Sequence, residues 1–464
     1  MDSLGGLLGR TADYASRFLD SLDERPVRAS ATVEELREAL AVPLRDEPVA
    51  AEQVLADLIA AAEPGVVGIP SGRYFGFVIG GALPAALAAD WLTSTWDQNA
   101  GLVAAGPSAA VVEEVAAGWL RELLGLPARA SAAFVTGCQM AHVTALAAAR
   151  HHVLAEAGWD LARDGLAGSP PLRVVVGEER HVTVDRALRF LGIGSAQLDV
   201  VPADEQGRLR AELLPDLRGP GPTIVCAQAG NVNSGAVDPL EEIAEAAATA
   251  GAWLHVDGAF GLWAAATPAH RHLVAGVERA DSWALDAHKL LNVPYDSGIA
   301  FCAHPESHRA AMAVQASYLE QVDPAAARDQ MDWTPEFSRR ARGFAVYAAL
   351  RSLGRSGVAG LVERCCSHAR TFAERLGEAD DVEVLNDVVL NQVLVRFGED
   401  DGATQEVVRR VQDDGTAWLS GTIWQGRAAM RISVSNWRTS EADVERSVAS
   451  ILDAAAAVAA SPPR

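Results

Sequence analysis

Polar and apolar positions follow three successive rhythms along the chain. Over residues 1–85 they mix at helical spacing. TVEELREAL, from Thr32, sets Glu35 three residues after a threonine and repeats leucine at helical intervals, which predicts a capping-box helix start. SGRYFGFVIGGALP, which follows at 71–84, crowds glycine, proline and aromatic residues and predicts irregular backbone. From 86 to 350, short strand-like runs alternate with alanine-rich helical stretches. The runs are RVVVG after Leu172, TIVCAQA from Thr223, AWLHVDG from Ala252, SWALDA from Ser282 and GIAFCA from Gly298. LEEIAEAAATAG is one of the helical stretches, with Gly251 as its stop. From 351 to 464 a helix gives way to the short runs VEVLND, NQVLVRF and AAMRISVS, and a closing helix is expected from Ser440.

This order predicts an α/β fold: a mostly parallel sheet flanked by helices on both faces (86–350), a helical amino-terminal segment (1–85) and a small carboxyl-terminal α/β domain (351–464). Ligands in such a sheet collect at the carboxyl ends of the strands. Asp257 and Lys289 both fall where a strand signal ends.

Composition narrows the function classes. At 464 residues, 49% apolar and 22% charged, the chain reads as a soluble protein of more than one folding unit. A net charge of −22 disfavours duplex DNA or an anionic membrane as partner. Cys138, Cys226, Cys302, Cys365 and Cys366 are odd in number and lack metal-ligand spacing, so free thiols in a reducing cytoplasm are expected and no metal is assigned. The first residues lack a basic-then-apolar pattern, so a signal peptide is not expected, and Pro84 and Asp90 interrupt the longest early apolar run. No nucleic-acid or membrane partner is expected.

One residue changes the picture. Of 39 lysines and arginines, only Lys289 is lysine. Arginine replaces lysine in ion pairs but cannot form an imine, because its guanidinium stays protonated. Lys289 lies in DAHKLLNVPYDSG (286–298), just past a strand, where an imine-forming amine could reach a ligand lying across the strand ends. Asp257 closes the apolar run WLHVDGAFG, a costly place for a carboxylate without a cationic partner. A pyridinium nitrogen would be such a partner, and Ala259 would leave room for a flat ring. FVTGCQMAHVTALAAAR (134–150) reads as strand, tight turn and helix, with Gly137, Cys138 and Gln139 as candidate phosphate donors at the helix start. His181 opens another helix and could stack on a planar ring.

The order TGCQMAH, HVTVDRALRFLG, GNVNSGAVDPLEEIA, WLHVDGAFG and DAHKLLNVPYDSG resembles the group II pyridoxal-phosphate-dependent amino-acid decarboxylases, on the aspartate-aminotransferase fold (fold type I). The resemblance runs from about Arg73 to the end. It implies a seven-stranded-type sheet, pyridoxal 5'-phosphate as cofactor and decarboxylation of an L-amino acid, bulky or aromatic, to its amine. It makes Lys289 the cofactor-linked lysine, Asp257 the partner of the ring nitrogen and His181 the stacking residue. Gly137, Cys138 and Gln139 become the phosphate loop, with Ala259 and His288 also at the cofactor. Phe77 and Ile79, beside Phe75, match the segment lining the substrate pocket. A homodimer is implied, with active sites at the subunit interface and the segment 1–85 locking the two chains.

Several positions depart from that pattern. Cys138 and Gln139 replace the usual small polar residues of the phosphate loop. Val232 stands where a threonine normally bonds the cofactor, with Asn231 or Asn233 as substitutes. Asp286 would face a phosphate dianion and is expected to point elsewhere. Between Leu319 and Val346 there is no tyrosine to protonate the substrate carbon, and Tyr318 comes early for that role. An aldehyde-forming decarboxylase-oxidase therefore stays open, as do transamination, carbon–carbon lysis and an idle homologue. Arg431 is a candidate for the substrate carboxylate by position only. A dinucleotide site is excluded because LGIGSAQ lacks a third glycine and follows a helix. The histidines 151, 152, 270 and 272 lack the spacing of a metal hydrolase.

Overall fold

The computed structural model describes residues 3–314 and 328–460. Its contacts divide the chain into two compact units. The larger comprises 80–370 and 386–393; the smaller comprises 1–79, 371–385 and 394–464. Tyr318 and Leu319 lie outside the described residues.

The larger unit is built on seven strands: β1 (Ser131–Val135), β2 (Arg173–Gly177), β3 (Leu198–Val201), β4 (Thr223–Gln228), β5 (Trp253–Asp257), β6 (Ser282–Asp286) and β7 (Gly298–Cys302). Their order is β1-β7-β6-β5-β4-β2-β3. Every pairing from β6 to β3 is parallel, whereas β7 runs antiparallel to both β6 and β1. The carboxyl ends of β1, β2, β4, β5 and β6 therefore share one edge. All residues of β1 and β4 to β7 are buried, as strands covered on both faces require. The helix Cys138–Glu156 lies over the sheet, and its Leu146, Ala148 and Leu154 pack with Val174, Val176 and Ile224.

Each expected run from RVVVG to GIAFCA forms a strand. Gly251 ends the helix Leu240–Ala250 in the left-handed conformation, at φ 67°. β3 was not legible: its four residues include Asp199, only one is buried, and it closes the sheet edge.

In the smaller unit, Thr32 and Glu35 form the expected capping box, and Ser440 and Asp443 form another at the start of Glu441–Ala459. Its sheet orders β10 (Ser420–Trp424), β11 (Arg427–Ser433), β9 (Gln392–Phe397) and β8 (Val382–Val384) as β10-β11-β9-β8. The chain ends are joined through Arg73, 1% exposed, whose guanidinium donates to the carbonyls of Leu22, Asp23, Arg25 and Thr416. Among the described residues no helix is long and apolar enough to cross a membrane.

Candidate active site

Strand ends and two helix starts meet at the shared edge. Asp257 is the last residue of β5, and its carboxylate is buried. Burial alone would raise its pKa, but His142, His181 and Lys289 outweigh that and hold it below the usual carboxylate range. His142 Nε2 lies 3.5 Å from Oδ2, and the Ala259 N–H donates to Oδ1 at 3.1 Å. Among the described residues Asp257 has no ion pair with arginine or lysine, so an ionised carboxylate keeps acceptor capacity for a further N–H.

Lys289 stands three residues beyond β6, with Nζ 3.1 Å from Asp286 Oδ2 and 5.8 Å from the Phe260 ring centroid. Burial works to lower its pKa, but the neighbouring carboxylates of Asp286 and Asp257 raise it, so the resting side chain is an ammonium. The turn behind it is fixed by Asn292, which sequence reasoning missed. Its N–H and Nδ2 donate to the Lys289 carbonyl at 3.0 and 3.3 Å, and its Oδ1 accepts the Gly81 N–H at 2.7 Å. Gly80 passes so close that a β-carbon there would lie 2.1 Å from the Lys289 carbonyl oxygen.

Asp286 does not point elsewhere. Its Oδ1 accepts the Cys138 N–H at 2.6 Å, so it caps the helix start that was assigned to phosphate. Unpaired N–H groups at a helix start attract an anion, and this carboxylate is the nearest one the chain supplies. Gly137 precedes that helix, and a β-carbon on Gly298 would sit 2.4 Å from its backbone. Gln139 Nε2 donates to the Thr183 carbonyl at 3.2 Å, joining this helix start to that of Val182–Phe190. His181 caps the latter, its Nδ1 2.7 Å from Thr183 Oγ1. His288 stacks on Tyr295 at 4.3 Å, and its Nε2 lies 3.5 Å from Asp286; burial lowers its pKa and keeps it neutral.

Asn231 spends its side chain on its own turn, accepting the Asn233 and Ser234 N–H groups and donating to the Glu179 carbonyl. Arg431 is buried in β11 of the smaller unit. In that unit Phe75 is core, edge-on to Phe372 at 4.9 Å. Phe77 is 56% exposed with φ 54° and lies 5.2 Å from the Trp418 ring; Ile79 is half-buried.

A lone buried lysine, an ionised carboxylate with spare acceptor capacity and a helix amino terminus at one strand edge suit a cofactor with an aldehyde, a ring nitrogen and a phosphate. Fold and site together define a pyridoxal-phosphate enzyme of fold type I.

Residues 34–397 match the pyridoxal-dependent decarboxylase conserved domain. Tryptophan decarboxylase 1 of Oryza sativa subsp. japonica is 27% identical over 94% of this chain and 90% of its own length. L-2,4-diaminobutyrate decarboxylase of Rhizobium meliloti (strain 1021) is 30% identical over 80% of this chain and 74% of its own. 4-Hydroxyphenylacetaldehyde synthase of Rhodiola rosea is 26% identical over 89% and 87%. In fold, the chain superposes on the crystal structure of Oryza sativa TDC with PLP and tryptamine at a TM-score of 0.91, covering 98% of each chain at 24% identity. The chain belongs to the pyridoxal-dependent decarboxylase family, group II. Its chemistry is removal of the carboxylate of an amino acid to leave the amine.

Proposed function

We propose that the substrate is an L-amino acid with a bulky or aromatic side chain, and that Lys289, Asp257 and His181 carry the reaction. The placement of Lys289 and Asp257 at neighbouring strand ends supports the residue roles most directly. Lys289 would hold the cofactor aldehyde covalently. Gly137, Cys138, Gln139 and His288 would hold its phosphate side, and Ala259 and His181 its two ring faces. When bound, pyridoxal phosphate supplies an electron sink for the bond that breaks at the substrate α-carbon.

The residues of the chain divide the remaining work. Asp286 is the nearest acceptor for the Lys289 proton, which must leave before the amine is nucleophilic. A cofactor phosphate held at the helix start would compete with the Asp286 carboxylate for the Cys138 N–H. Asp257 stays ionised and favours a protonated ring nitrogen. Residues 75–79, which the family resemblance assigns to the substrate pocket, are uncharged, which suits an apolar side chain better than an acidic or basic one.

The dimer belongs to the same proposal, with 1–85 as dimerisation segment, 86–350 as cofactor domain and 351–464 as small domain. Leu4–Asp20, Val33–Leu40 and Ala51–Ala62 bury none of their residues, and Leu4, Leu8, Val54 and Leu58 are exposed, as an apolar helical surface awaiting a second copy would be. Sedimentation equilibrium should give twice the chain mass; a monomer at working concentration sinks this part. All five cysteines are free, which supports a cytoplasmic setting.

The test of the activity is a panel of amino acids assayed together for carbon dioxide, amine, peroxide and ammonia. Aromatic substrates should give carbon dioxide and amine in equal amounts. Peroxide with ammonia would instead assign the aldehyde-forming route found by name in the Rhodiola rosea relative. Turnover confined to acidic or basic amino acids would overturn the substrate class.

A further inference from the structure

Behind Asp257 runs a line of buried polar side chains that the reaction described so far does not use. Alternate residues of a strand share a face, so β5 puts Trp253, His255 and Asp257 on one side. The parallel register sets Ser282 of β6 opposite His255. Trp253 Nε1 donates to Ser282 Oγ at 2.9 Å, and Ser282 Oγ lies 2.9 Å from His255 Nδ1. His255 Nε2 lies 2.9 Å from His142 Nδ1, and His142 Nε2 lies 3.5 Å from the Asp257 carboxylate. Ser282, His255 and His142 are fully buried, and Trp253 nearly so.

We propose that His142, backed by His255, Ser282 and Trp253, is a positioning residue that presents an N–H to Asp257 and keeps that carboxylate ionised and aimed at the ring nitrogen of the cofactor. The proposal rests on Asp257 serving that nitrogen.

The ends of the line set its direction. An indole N–H only donates, and an ionised carboxylate only accepts. If Ser282 gives its hydroxyl proton to His255 Nδ1, neutral His255 carries its own proton on Nε2. That proton is donated to His142 Nδ1, so the His142 proton sits on Nε2, facing Asp257. The opposite polarity would aim a lone pair of His142 at a buried anion, which leaves both unsatisfied. Burial, with His142 beside it, lowers the pKa of His255 to about 3, consistent with a neutral link.

Cys138 Sγ is 3.4 Å from the same His142 nitrogen, and with Asp257 the three ligating atoms lie within 4.8 Å. Burial and the carboxylates of Asp257 and Asp286 keep that thiol protonated, which favours hydrogen bonding over metal ligation.

The test uses full-length holoenzyme in two arms. Nitrogen-15 NMR of histidine-labelled wild type should show His142 protonated on Nε2 and bare on Nδ1; a proton on Nδ1 with none on Nε2 overturns the proposal. In the second arm, His255→Leu should lower kcat and weaken cofactor affinity, each on the order of tenfold, with KM for substrate little changed. His255→Gln, whose amide can still donate to His142, should recover most of both. Unchanged kcat and cofactor affinity in a folded His255→Leu protein would overturn the relay. Borohydride trapping separates this from the underlying reading: Lys289 modified but the variants silent removes only the relay, whereas Lys289 unmodified in wild type removes both.

Discussion

Lys289 and Asp257 stand out in the sequence because each breaks a local rule of composition or burial. A chain that spends arginine on every other basic position has kept one amine, and an apolar strand has kept one carboxylate at its end. His142 broke no such rule, since a histidine in an alanine-rich helix looks like any polar interruption. What gives it meaning is register: His255 shares a strand face with Asp257, and the helix Cys138–Glu156 lays His142 between them. Asp286 was misjudged because the sequence shows a charge near a phosphate site but not the unpaired Cys138 N–H it satisfies. At this scale Asp257→Ala is the sharpest change. Opposite charges about 4 Å apart at an effective dielectric near 20 attract by about 4 kcal/mol, so kcat should fall roughly a thousandfold. A loss under tenfold in steady-state assays would show that this carboxylate does not serve the ring.

Secondary elements were read well where periodicity and punctuation agreed, as at Gly251 and the two capping boxes. β3 and β10 were missed because LDVV and SGTIW are short and half-polar, the pattern of partly exposed strands rather than buried ones. The junctions between elements depend on contacts that sequence spacing does not reveal. Gly298 opens β7 directly against the Gly137 turn, so that strand and the start of the helix Cys138–Glu156 pack backbone to backbone. Gly298→Ala should push them apart and destabilise the protein by about 1–3 kcal/mol, seen as a lower denaturant midpoint, with weaker cofactor binding. An unaltered midpoint would mean the junction has slack.

Across the whole molecule, the parallel order was legible from alternating blocks, but the company kept by the chain ends was not. Arg73 draws the amino-terminal segment together with Thr416, some 340 residues away, through carbonyl contacts that carry no sequence signature. Global stability should also carry the mark of His308, fully buried between Ser131 and the Trp333 carbonyl. Burial and nearby Arg328 lower its pKa from 6.5 to about 3. Between those pH values the unfolded chain binds the proton and the folded chain does not, so stability present above 6.5 is lost as pH falls toward 3. The thermal midpoint of wild type should therefore drop more steeply from pH 7 to pH 4 than that of His308→Gln. Parallel declines would exclude this histidine as a source of acid sensitivity.

The expectations for the active site presuppose one covalent attachment. Borohydride reduction of the purified holoenzyme followed by peptide mass mapping should place the reduced cofactor adduct on the peptide containing Lys289, and Lys289→Ala should carry none. An unmodified Lys289 in reduced, cofactor-loaded protein would contradict the assignment of the site.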